Sequence, residues 1–337
     1  MRYLNLISSI TLFTLLLAAT SCTSIVKGLS ILHFNEQLAT RWAPIHHQDV
    51  DVSGGNSLGG RSDYITSIDF DGDWVTTNNW EHTDDFPLTA HAYYSVVWTS
   101  THWFIVYAFY HPRDWCDSFG CSIINSDHEN DLEGLLAIVR RPEIFSEENF
   151  GTLEAIVTVF HNDFVSFKHI DSNFTQGEED IEGFLTMQTF NGVPHPVTAQ
   201  QAKGHGLKAY PHVKIEGDYG IIYRPTEVAQ EPNDPNDRDV GYKLINLFLP
   251  GNMWARRNNS ETFTNDGAFQ GDDGANDAAN APWAWDDSND GSQLTGGELA
   301  TDPAKLTQIY FNDLGIFSTI YTYNPYQDIG CDYPERC

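Results

Sequence analysis

The residues best suited to chemistry are Asp127-His128-Glu129-Asn130-Asp131-Leu132-Glu133-Gly134, which run straight into the apolar stretch 132–139. If that stretch is a strand, Asp131 and Glu133 project to one face while Leu132 points to the other. His128 then lies in the preceding loop, within reach of the same point. One imidazole with two carboxylates suits a hard divalent cation (Mg²⁺, Ca²⁺ or Mn²⁺) with water completing the shell, whereas zinc ordinarily takes more nitrogen or sulfur. Two carboxylates so close repel each other, and the cation removes that repulsion. Asp131→Asn is therefore expected to abolish metal binding at little cost in stability. The competing arrangement pairs Asp131 and Glu133 with Arg140 or Arg141.

Two flanking segments supply further ligand-binding candidates. His102 opens the aromatic run His102-Trp103-Phe104-Ile105-Val106-Tyr107-Ala108-Phe109-Tyr110-His111-Pro112. Downstream, Gly204-His205-Gly206-Leu207-Lys208-Ala209-Tyr210-Pro211-His212 adds His205, Tyr210 and His212. Asp69-Phe70-Asp71-Gly72-Asp73 places three carboxylates at alternate positions, which suits a second cation or a solvated turn. Asp286-Asp287-Ser288-Asn289-Asp290-Gly291 resembles the start of a calcium loop, but Gly297 stands where the twelfth-position glutamate belongs. His46-His47-Gln48-Asp49 and His161-Asn162-Asp163 read better as ordinary hydrogen-bonded histidines. No G-x-S-x-G, H-E-x-x-H or P-loop pattern appears, so no catalytic residue is assigned and the balance leans away from an enzyme.

An aromatic strand ending in Tyr-x-Phe-Tyr, then H-x-x-D-x-E, then His-x-x-x-x-Tyr-Pro is similar to the vacuolar protein sorting 62 family. The H-x-x-D-x-E spacing also resembles the G-H-R-H-D-W-E heptad of the necrosis- and ethylene-inducing-like cytolysins. That second resemblance implies a β-sandwich with a divalent cation at a surface that binds membrane glycolipid. Only His128, Asp131 and Glu133 carry over. Asp127 replaces the heptad's Gly, Asn130 its second His and Leu132 its Trp. The resemblance spans roughly residues 90–212.

The elements that must position these residues are mostly strands. Residues 30–42 form the one clear helical stretch, with Ile31, Phe34, Leu38 and Trp42 on one face and Pro44 ending it. His91–Thr99 and His102–Tyr110 read as a hairpin turning at Ser100-Thr101, followed by runs at 132–139, 153–160, 220–224 and 243–249. With no βαβ rhythm, the expected fold is all-β: an antiparallel β-sandwich with long loops and a short N-terminal helix. Residues 231–239 and 265–281 are the long acidic loops.

Residues 1–21 combine Arg2, a short apolar run and the ending Ala19-Thr20-Ser21-Cys22, which resembles a lipobox. The expectation is a lipoprotein signal peptide over 1–21, a lipidated Cys22, and a single domain over 22–337 in the bacterial cell envelope, lipid-anchored or secreted. Four cysteines then remain, and in an oxidising compartment they read as local disulfides, Cys116–Cys121 and Cys331–Cys337. Removing 1–21 takes away one arginine, leaving 17 basic against 47 acidic residues and a net charge of −30. Such a surface repels nucleic acid and anionic lipid, leaving cations, glycans or glycolipids and an anchored membrane as partners. Three functions fit: surface recognition or membrane action through the cation, a metal-dependent hydrolase, or a structural envelope protein stiffened by ions. The first is favoured.

Overall fold

The computed structural model describes residues 31–117, 127–143, 149–213, 215, 219–272, 279–289 and 293–330. Helix α1 (31–42) precedes β1 (Ile45–Asp49), α2 (Asn79–Asp85), β2 (His91–Thr99), β3 (His102–Asp114) and β4 (His128–Arg140). Next come β5 (Thr152–Phe160), β6 (Asp163–Lys168), β7 (Thr175–Gln176), β8 (Ile181–Phe184), β9 (Met187–Phe190) and β10 (Val193–Gln200). The chain continues through β11 (Leu207–Ala209), β12 (Gly220–Pro225) and β13 (Val240–Asn246). Helices α3 (Glu298–Thr301) and α4 (Pro303–Tyr310) and strands β14 (Phe311–Asn312) and β15 (Tyr321–Tyr323) follow.

The expected hairpin forms, with Trp98 opposite Trp103, and β3 runs on to pair with β4 from His102↔Arg140 to Asp114↔His128. The fold is mostly β, but it is not the antiparallel sandwich expected from the strand pattern. Among the described residues, thirteen strands share one mixed sheet in the order β11-β10-β1-β12-β13-β2-β3-β4-β5-β6-β8, with β9 and β15 off that path. The pairs β1–β10, β12–β13, β13–β2 and β6–β8 are parallel. β11 packs on β4 and β5 although it stands at the far end of the strand order, so the sheet curls round on itself. A curled sheet closes over its own apolar face and needs no facing second sheet.

Its concave face buries Trp103, Ile105, Tyr107 and Phe109 of β3 against Tyr223, Tyr242 and the α1 residues Leu38 and Trp42. Its convex face buries Phe104, Val106, Ala108 and Tyr110 against Trp285 and the α4 residues Leu306 and Tyr310. β3 is covered on both sides, which is why it is almost continuously apolar instead of alternating. Gly134 lets this two-sided packing close. A Cβ there would lie 2.2 Å from the Tyr107 carbonyl oxygen and 2.4 Å from Cη2 of Trp285, whose Nε1 donates to the Leu132 carbonyl at 3.0 Å.

Helix α1 forms as its spacing predicts, with Phe34 packed 5.5 Å from both Trp98 and Trp103. No helix among the described residues is long and apolar enough to cross a membrane. Cys116 is disulfide-bonded. Residues 1–21, Cys22, Cys121, Cys331 and Cys337 lie outside the described residues.

Candidate functional site

At the end of the sheet where β3 finishes and β4 begins, a group of charged side chains is buried at the edge of the concave core. Asn130 sets its geometry. Its φ of 60° places one left-handed residue inside β4 without shifting the register, which runs from His111↔Asp131 on one side to Arg113↔Glu129 on the other. That conformation is unfavourable for an L-residue and needs holding. The carboxamide oxygen of Asn130 accepts from Tyr110 Oη at 2.6 Å and Asn79 Nδ2 at 2.8 Å. Its nitrogen donates to the carbonyls of Thr76 and Gln270 at 2.8 and 2.9 Å. All four hydrogen-bonding positions of the side chain are filled.

Beyond Asn130, the two carboxylates take different partners. Asp131 Oδ1 accepts from the Leu132 amide at 2.8 Å, and Oδ2 lies 2.8 Å from Nδ1 of His205. The other ring nitrogen of His205 is 3.3 Å from Asp63 Oδ1, which also accepts from Trp115 Nε1 and the Lys203 amide, each at 2.8 Å. His205 is fully buried and lies flat on His111, ring centroids 3.7 Å apart. Glu133 Oε1 accepts from the His161 amide at 3.0 Å, whereas its Oε2 is buried without a partner. His128 Nε2 is 3.4 Å from Asp114 Oδ2. Gly204 lies beside His161 and Asp114, closing the group from the β10–β11 loop.

The electrostatics follow from this packing. Burial alone would depress the His205 imidazole, but its bonds to Asp131 and Asp63 overcome that and lift it to about 9. Burial would raise Asp131, yet the same bond to His205 holds it below the usual carboxylate range. Asp114 is pushed up to about 8 by burial and then by the charge of Asp131. Burial, then Asp131, drives Glu133 well above its ordinary value. Burial lowers His161, and burial with the adjoining His205 lowers His111. The group thus holds more carboxylate than its histidines neutralise.

The structure brings together Asp131, Glu133, His128 and His205, and adds Asp114, Asp63, His111 and His161. Among the described residues, no group of three or more His, Cys, Asp or Glu side chains is arranged as it stands to hold a metal ion. The donor chemistry nonetheless suits a hard cation: mutually repelling carboxylates, one buried oxygen without a partner, and imidazoles at the rim. The alternative pairing with arginine does not form. Arg140 bonds Glu154, and Arg141 donates to the Thr99 carbonyl at 2.6 Å.

Tyr210, His212 and His102 lie elsewhere. Tyr210 packs on His47 at 4.8 Å, and His212 packs on Phe167 at 4.9 Å beside Gly183. His102 starts the strand that His111 nearly ends, about 30 Å away along the backbone. There it stacks on Phe317 at 4.9 Å. Asp71 bonds His82 at 2.6 Å and caps the Asp73 amide in a local turn. Asp287 is buried and accepts from Tyr310 Oη, while Asp290 and Gly291 lie outside the described residues. His46 is a buried, hydrogen-bonded histidine, 3.0 Å from Thr198 Oγ1.

Continuing the β3–β4 pairing four residues past Tyr110↔Leu132 sets Asp114 opposite His128. Asp63, on a 3₁₀ turn at Leu58–Asp63, had no local signal.

No protein-family model and no curated protein matches the chain. Among solved structures it is similar to NLPPya in complex with mannosamine, at 14% identity over 83% of this chain and 91% of that chain, TM-score 0.35. The same protein in complex with glucosamine matches with the same identity and coverage at a TM-score of 0.34. A non-toxic HaNLP3 protein matches at 14% identity over 62% of this chain and 73% of that one, TM-score 0.29. At overlaps this loose the likenesses carry no argument about what this chain does.

Proposed function

We propose that this chain is an exported, lipid-anchored surface protein that recognises a glycan or lipid headgroup through a divalent cation held by His128, Asp131 and Glu133, with Asp114 alongside. The observation that carries the reading is the buried carboxylate excess at one sheet end, with Glu133 Oε2 left without a partner. A bound cation would neutralise that excess and offer open coordination positions to hydroxyl or phosphate oxygens of a ligand. Lipidation at Cys22 and local disulfides at Cys116–Cys121 and Cys331–Cys337 belong to the same reading of an exported chain. A metal-dependent hydrolase is the second reading. It is favoured by Asp114, whose carboxyl stays largely protonated at neutral pH beside His128 and is placed to donate a proton.

Calorimetric titration of metal-stripped protein with Ca²⁺, Mg²⁺ and Mn²⁺ tests the cation. Asp131 bonds buried His205, so Asp131→Asn strips a charged partner and should cost about 3–5 kcal/mol of stability, not the small cost expected from the sequence. Glu133→Gln is the cleaner variant, because Glu133 is already held toward its neutral form. Micromolar or tighter binding by the wild type and at least tenfold weaker binding by Glu133→Gln are expected. Equal binding by both would remove this site.

A further inference from the structure

The opposite end of the same sheet carries exposed apolar side chains that no packing or cation site uses. Ile316 is 82% exposed, Ile320 76% and Ile170 62%. They are presented by a firmly held frame. Gly315, with φ of 67°, turns the chain over Arg140, whose Nη2 reaches the Leu314 carbonyl at 3.5 Å. The Ser318 amide donates to Thr101 Oγ1 at 2.9 Å, and Phe317 is wedged 4.9 Å from His102 and 6.2 Å from Phe104. Ile170 adjoins because the His169 amide donates at 2.8 Å to the carbonyl of Glu154, the residue that bonds Arg140. All three isoleucines therefore lie at the one sheet end where β2 and β6 finish and β3 begins.

We propose that this end of the molecule rests on a zwitterionic lipid bilayer, with Ile170, Ile316 and Ile320 entering its interfacial layer. Two observations choose this occupant. The described chain starts here: Phe34 packs on Trp98, and Asn35 Oδ1 accepts from Trp98 Nε1 at 3.0 Å. Cys22 is nine residues before Ile31, a reach of at most about 30 Å, so a lipid on Cys22 would enter the bilayer at this end. Charge agrees. The chain as a whole carries a net charge of −29. Such an acidic protein is repelled by anionic headgroups and not by zwitterionic ones. The proposal rests on the membrane half of the proposed function, whose lipid on Cys22 chooses this end, while the isoleucines make the contact that the test reads.

The test is flotation of the full mature chain carrying Cys22→Ala with phosphatidylcholine vesicles, without added cation. Failure of the anchor or of the cation site leaves this assay unaffected. The Cys22→Ala protein should float, and adding Ile316→Ser and Ile320→Ser should weaken its partitioning at least tenfold. Val228→Ser, at a residue 69% exposed beside the start of β2, should leave it unchanged. Ile170→Ser alone should act in the same direction as the pair. No flotation, or equal flotation of parent and double variant, overturns the proposal. Self-association in sedimentation velocity that the double variant abolishes, without flotation, also overturns it and gives the patch to a second copy of this chain.

Discussion

Asn130 holds the candidate site in place although it has no charge to offer a ligand. Its left-handed backbone is stabilised by four hydrogen bonds that reach α2, β3 and two separate loops. Asn130→Ala should therefore leave buried donors and acceptors unpaired and cost about 2–4 kcal/mol, read as a lower midpoint in urea unfolding. A loss under about 0.5 kcal/mol would mean the conformation of β4 does not depend on this side chain. At this scale the sequence was partly readable. Period-2 geometry correctly sent Asp131 and Glu133 to one face and Leu132 to the other. It did not reveal that His205 would claim Asp131, since 74 residues separate them and only the curl of the sheet makes them neighbours.

Among the elements, legibility tracked apolar content. β2 through β5 were plain because they are long and rich in aromatic and branched residues. β1 reads Ile-His-His-Gln-Asp and looks like loop, yet lies between β10 and β12 with four of its five residues buried. His46 Nδ1 bonds Thr198 and Gln48 Nε2 donates to the Asp49 and Gln201 carbonyls, while His46 Nε2, His47 Nε2 and Gln48 Oε1 stay buried without a partner. β10 was hidden by Pro194 and Pro196, which fall where it pairs with β9 before joining β1 at Val197. Packing of elements also makes Gly134 irreplaceable. Gly134→Ala should destabilise by about 2–4 kcal/mol through overlap with the β3 backbone and Trp285, measured as a drop in thermal midpoint. A neutral effect would show that β3, β4 and the Trp285 segment are free to separate.

For the molecule as a whole, buried titratable groups set opposing slopes of stability against pH. Burial holds His46 and His102 near 3, below their ordinary value of 6.5. The unfolded chain takes up protons between those limits that the folded chain refuses, so stability falls as pH drops through that window. His205 has the other sign. Its contribution is complete below 6.5 and is lost as pH rises through about 9. Asp114, held up at about 8, likewise weakens the fold as pH rises from its ordinary value of 3.8. Moving from pH 7 to 4.5 should cost about 2–3 kcal/mol for each neutral buried histidine. Urea unfolding of His102→Gln at both pH values should show that loss reduced by this amount. An unchanged pH dependence would exclude His102 as a contributor.

The placement of β1 between β10 and β12 also dictates an order of assembly. His46 meets a partner 152 residues further along the chain, whereas β2 to β6 join through successive antiparallel neighbours. Closing the long loop is entropically slow, and local hairpins form first. A chain emerging from its N-terminus presents β1 early, yet the slot for β1 exists only after β10 and β12 have arrived. Its two histidines and glutamine keep the waiting strand polar and soluble until then.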